Sequence, residues 1–121
     1  MAQFGFEEGI GFVPFAGIGY SAFKVLIKDD VSPVRAAAAK TLAKDSDPDS
    51  GKALVNAVSD KSWTVRVAAV EALGERGDPA VISALEPAMS DDKDPVRYAA
   101  AAVIIRLSAI QAKTKEQPKK E

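Results

Sequence analysis

The 121-residue chain has no cysteine and no histidine. Disulfides are therefore excluded, and so are zinc sites built on Cys or His. Nucleophilic catalysis that needs a His base or a Cys nucleophile is excluded with them. Serine and threonine remain, with no imidazole to activate them, so no catalytic residues and no metal or cofactor are expected. Aromatic residues are scarce, 7% with a single Trp, against 47% apolar residues overall, so the core must come from small aliphatic side chains at close approach. Neither sign of charge dominates, with 16 Lys and Arg against 17 Asp and Glu. A chain so balanced has no general basic face for nucleic acid. No Lys or Arg precedes Lys24, so the positive start of a signal peptide is missing and the cytoplasm is the default expectation. The length suits one small domain.

What the chain does have is a repeat. Three segments align without gaps: "VSPVRAAAAKTL" (31–42), "SWTVRVAAVEAL" (62–73) and "KDPVRYAAAAVI" (93–104). The Val-Arg pairs at 34–35, 65–66 and 96–97 are 31 residues apart. The same period relates Phe23, Leu54 and Leu85, then Ile27, Val58 and Met89, then Asp29, Asp60 and Asp91. A fixed period of this size marks stacked supersecondary units. Within a unit the apolar residues recur at helical spacing: Leu54 and Val58 on one segment, Val65, Ala68, Ala69, Ala72 and Leu73 on the next. No run alternates with the period of a strand. Helices of about a dozen residues are marginal alone and persist when neighbours bury their faces.

The V-R-x-x-A-A core, the Asp six residues before each Arg and the "GDP" linker at Gly77 to Pro79 together resemble a HEAT repeat, of the short subtype found in phycobilisome-lyase-like HEAT proteins. The first linker, "SDP", departs mildly from that pattern. The resemblance implies an all-α fold, an α-solenoid of three HEAT-like helix pairs wound as a right-handed superhelix. The pairs are expected at 19–28 with 33–44, 50–59 with 64–75, and 79–90 with 95–111. The repeat domain then spans 19–111, in units 19–44, 50–75 and 79–111. Asp29, Arg35, Asp60, Arg66, Asp91 and Arg97 recur in every unit, which suits a structural ladder pinning one helix pair to the next rather than a catalytic set.

The opening "GIGFVPFAGIGY" (9–20) has too few uncharged residues for a membrane span, which needs about 20. Its G-x-G pairs lack the strand and βαβ setting of a nucleotide loop. Residues 1–18 read instead as a Gly/Phe-rich N-terminal cap or flap over the first helix pair, since solenoid ends need a cap. The last helix carries more apolar surface than one stripe needs, at Val103, Ile104, Ile105, Leu107 and Ile110. That excess predicts a further contact, with a homo-oligomer through the apolar ends among the options. The tail 112–121 is polar and reads as disordered. The clustered Asp45, Asp47 and Asp49 lack the Gly and distal Glu of a calcium loop and suit helix capping.

The expected function is a non-catalytic scaffold that binds a protein or peptide on the concave face of a short solenoid. Helical spacing frees the two positions before each Val, the two after each Arg and one beyond A-A. Trp63, Val67 and Tyr98 then form an apolar-aromatic group across adjacent units, flanked by Lys40 and Glu71, and Ala68 is freed with them. Trp and Tyr are favoured interface anchors. Two alternatives are an accessory subunit of a bilin lyase-like or other enzyme complex, which the resemblance suggests, and a self-associating fragment of a longer array.

Overall fold

The computed structural model describes residues 14–116, with side chains from Ser21 onward. Among these residues the chain is helical and contains no strand. Helix α1 (Pro14–Lys28) and α2 (Ser32–Leu42) form the first unit, α3 (Pro48–Ala57) and α4 (Trp63–Arg76) the second. In the third unit, α5 (Ile82–Leu85) is a single α-turn between 3₁₀ turns at Pro79–Val81 and Glu86–Ser90, followed by α6 (Asp94–Glu116). The fold is an α-solenoid. Helices α2, α4 and α6 stack in one layer, while α1, α3 and the α5 segment pack along its other side.

Three boundaries differ from expectation. Residues 14–18, grouped above with the flap, are the first turns of α1, with Pro14 at a position where its missing N–H costs nothing. The rest of that flap, residues 1–13, lies outside the described residues. The segment 79–90 is not one helix. Pro87 lacks the amide for an α-helical bond, and in a continuous helix its ring would clash with the carbonyl four residues back. The backbone tightens into 3₁₀ turns there, yet Leu85 and Ala88 stay buried. At the other end, residues 112–116 continue α6 rather than belonging to a disordered tail, and 117–121 lie outside the described residues.

Caps explain where the remaining helices start and stop. The Asp47 carboxylate accepts from the Asp49 amide ahead of α3, and Asp78 accepts from the Ala80 amide. Helix α4 ends at Gly77, whose φ of 73° is left-handed and suits glycine. Its amide donates to the carbonyls of Leu73 and Gly74.

The core is made of Ala, Val and Leu, with Leu42, Leu54, Leu73, Leu85, Leu107, Val65, Val70 and Val96 the largest fully buried side chains. Small residues let the stacked helices approach. At Gly74 a Cβ would stand 2.7 Å from Val103 Cγ2, so the α4–α6 contact depends on glycine there. Ile27, placed above in a core register, is instead half exposed, and Leu26 is the buried residue of α1's last turns. Met89, its third-unit equivalent, is 43% exposed as well, so this position is closed only in the second unit.

Gly74→Ala tests the close approach. Alanine gains about 1 kcal/mol of helix propensity but forces overpacking that costs about 1–3 kcal/mol. Thermal unfolding is expected to show net destabilisation. Adding Val103→Ala makes the pair clearly less destabilising than the sum of the singles. Additive losses would place the effect elsewhere than at this contact.

Candidate functional site

Each recurrent Asp opens a turn into the V-R helix. Asp29, Asp60 and Asp91 accept, through Oδ1, the amide two residues on: Val31 at 2.8 Å, Ser62 at 2.8 Å and Lys93 at 2.9 Å. Such Asx turns satisfy a donor that the following helix leaves orphaned.

Arg35 and Arg66 each read two of these turns. Arg35 Nη1 donates to the Asp29 carbonyl of its own unit at 2.7 Å. Its Nε and Nη2 donate to the Asp60 carboxylate of the next unit at 3.0 and 2.9 Å. Arg66 repeats the pattern, with Nη1 on the Asp60 carbonyl at 2.8 Å and Nε and Nη2 on Asp91 at 2.8 and 3.0 Å. Arg66 Nη2 also reaches Asp92 at 3.4 Å. The pairing therefore runs across units: the Asp six residues before an Arg lends its carbonyl, and the Asp 25 residues after it lends its carboxylate. Arg97 donates to the Asp91 carbonyl at 2.7 Å, but its carboxylate partner is Asp94 in its own helix. Its side chain is 35% exposed, against 7% for Arg35 and 14% for Arg66.

The carboxylates respond to this setting. Burial pushes the Asp60 pKa up, but hydrogen bonds from Arg35 and the Ser62 amide, with the Arg35 charge, outweigh it and hold the group below the usual carboxylate value. For Asp91 the Arg66 hydrogen bonds dominate and lower it. Asp45 is lowered by the Asp47 amide and by the Ser50 hydroxyl, which donates at 2.8 Å. Asp45 and Asp47 are thus spent on local turns. Among the described residues no group of three or more acidic side chains is arranged to hold a metal ion.

Two further arginines escaped the sequence reading. Arg76 lies across Gly51 and donates to the carbonyls of Leu42 at 3.3 Å, Asp47 at 3.2 Å and Asp45, holding the linker between the first two units. Arg106 Nε donates to the Gly74 carbonyl at 2.9 Å near the end of α4. Neither recurs at the 31-residue period, since the equivalents of Arg76 are Asp45 and Leu107. The one available signal was a cation facing helix-terminal carbonyls.

The candidate binding residues occupy the stacked layer α2–α4–α6. Ala36, Val67 and Tyr98 are equivalent positions on its three helices, as are Ser32, Trp63 and Asp94 one turn before and Lys40, Glu71 and Ala102 one turn after. Trp63 is 41% and Tyr98 67% exposed, and Val67 is half-buried between those two rows. Lys40 and Glu71 are exposed. Ala68, expected to be free, is buried, while its first-unit equivalent, Ala37, is exposed. A groove of about 480 Å³ lies elsewhere, on the α3 side, lined by Lys52, Val55, Arg76 and Val81 among others.

Two outcomes follow from the ladder. Arg66→Ala leaves Asp91 without its partner and costs about 2–3 kcal/mol, while Lys40→Ala stays within about 0.5 kcal/mol. Equal thermal midpoints for the two would refute the ladder's role. The depressed Asp pKa values add stability that is complete above the unfolded carboxylate value of roughly 4 and is lost as pH falls through the folded values. With no histidine, denaturant midpoints are expected to be flat between about pH 6 and 8 and to drop on the acid side. Asp60→Asn should make that drop shallower, and an unchanged acid limb would remove Asp60 from it.

Among the described residues no helix is long and apolar enough to cross a membrane. No curated protein matches the chain. The family model for HEAT repeats matches residues 21–105, from inside α1 to well inside α6 and across all three Asp–Arg turns. The chain belongs to the HEAT-repeat family.

Proposed function

We propose that the chain is a non-catalytic protein-interaction scaffold. Its partner, a protein or peptide, is taken on the α2–α4–α6 layer at Trp63, Val67 and Tyr98, with Lys40 and Glu71 setting orientation at the flank. HEAT repeats generally serve as such scaffolds. The observation that carries the site is the exposure of the chain's single Trp and of Tyr98 on neighbouring helices of one layer. Neither ring is needed to close the core, and large amphipathic rings on rigid helices are the side chains that dominate interface energetics. The likeness to the short lyase-like subtype rests on the Asp six residues before each Arg, the V-R-x-x-A-A core and the "GDP" linker. As a second reading it makes the partner a component of an enzyme complex, at the same face.

Trp63→Ala and Tyr98→Ala are expected to change stability by less than about 1 kcal/mol while abolishing partner capture from an extract of the source cells. Acrylamide should quench the fluorescence of Trp63 efficiently in the free chain and less in the complex. Loss of folding in both variants, or capture that survives both, would move the binding face off this layer.

A further inference from the structure

Comparing equivalent positions in the three units separates the two faces that a unit uses to stack. Val65 and Val96 are fully buried, but Val34 is 42% exposed. Thr41 is exposed where Ala72 and Val103 are buried. These positions face the preceding unit, and among the described residues the first unit shows them uncovered. On the other face, Ala43 and Gly74 are buried while Ile105 is 70% exposed, and Leu42 and Leu73 are buried while Ile104 is only partly so. These face the following unit, and the third unit shows them uncovered. The ladder divides in the same way. Arg97 lacks the cross-unit carboxylate that Arg35 and Arg66 have. The Asp29 carboxylate is held by the same Asx turn as Asp60 and Asp91, yet no arginine stands one period before Arg35, where the sequence has Phe4.

We propose that a second copy of this chain docks head-to-tail on the third unit, its Asp29 carboxylate accepting from Nε and Nη2 of Arg97. The two edges are the halves of an interface the chain already makes twice, and Asp29 and Arg97 on them carry opposite charges. Their shapes also fit. At the second junction Gly74 receives Val103, and at the first the equivalent positions are Ala43 and Ala72. At the proposed junction bulky Ile105 meets the smaller Thr41, so one large residue is again set against a smaller one. Val34 of the second copy covers the remaining apolar surface at Ile104. Lys44 of the second copy comes near Arg106, which is turned back onto the Gly74 carbonyl, so this like-charged pair weakens the contact without blocking it. The contact is heterologous and leaves a free edge at each end, so it extends rather than closes. It uses neither Trp63 nor Tyr98 and is independent of the proposed partner face.

Light scattering after size exclusion, on the intact chain over a concentration series, reads this directly. The average mass should rise continuously past two copies. Arg97→Asp and Asp29→Arg each set like charges against each other at the junction, and each alone should remain monomeric. An equimolar mixture of the two should associate again, because every mixed junction pairs an Arg with an Asp. Asp29→Asn keeps the turn and should weaken association roughly tenfold. Circular dichroism of each variant reports whether it is folded. The proposal is overturned by a wild-type chain that is monomeric throughout, by a mass that stops at two copies, by association that Asp29→Asn leaves unchanged, or by a mixture of folded variants no heavier than its components.

Discussion

A guanidinium that donates in two directions sets the geometry of the array. Arg35 and Arg66 each hold the carbonyl of one Asx turn and the carboxylate of the next. The turn at Asp60 is therefore fixed three ways: by its own Oδ1 on the Ser62 amide, by Arg66 at its carbonyl and by Arg35 at its carboxylate. Any rotation of one helix pair against the next would break the fork-to-fork pairing of Nε and Nη2 with both oxygens. Lysine, a point charge on a flexible stem, would not impose that angle. Withdrawing the pair from water costs free energy that the attraction only partly returns, so its main product is a defined register.

With the register fixed by polar contacts at one end of each V-R helix, the rest of that helix is free to be small. Ala38, Ala39, Ala69 and Ala100 are buried to within a few per cent, and Gly74 admits Val103 where any Cβ would collide. An alanine-rich seam buries less area per residue than leucine would, so it offers less hydrophobic free energy at about 25 cal/mol per Å². It brings the backbones closer and loses little side-chain entropy in exchange. Arg76 and Arg106 tie down the carbonyls at the far ends of the helices and so brace the end of each unit that the Asp–Arg ladder does not reach.

Much of this was legible because the sequence repeats. The 31-residue period, the helix pairs and the Asp–Arg recurrence follow from letters that return at fixed intervals. The pairing itself was not legible: Asp29 and Arg35 are close in sequence, but the bidentate partner of Arg35 is Asp60. A periodic pattern tells which residues recur and is silent on which copy they meet. It is silent for a second reason about the ends. Val34, Val65 and Val96 are the same letter in the same register, yet only the first is exposed, since burial depends on a neighbour that the letter does not encode. Arg76 broke the period and so carried no periodic signal, only that of a cation at a helix end. Pro87 was present to be read, and a continuous helix over 79–90 neglected it.

The same geometry explains why a binding face fits on this scaffold. In each V-R helix the Val and Arg face neighbouring units, while the rows through Trp63, Val67 and Glu71 take no part in the ladder. Side chains in those rows change from unit to unit: Ser32, Trp63 and Asp94 in one, Ala36, Val67 and Tyr98 in the next. The Asp, Val and Arg positions of the ladder, by contrast, keep their identity from unit to unit. Variation in rows that take no part in the ladder leaves room for a surface shaped by a partner, and the stability of a solenoid, a sum of local unit and junction terms, tolerates it. Bulk also grows along the middle row, from Ala36 to Val67 to Tyr98, and Trp63 stands beside Val67. The anchors are thereby gathered at the second and third units rather than spread evenly. A partner that engaged every unit alike would favour equal side chains at equivalent positions. The gradient fits the proposed contact as a localised one spanning α4 and α6, with Lys40 on α2 at its proposed charged margin.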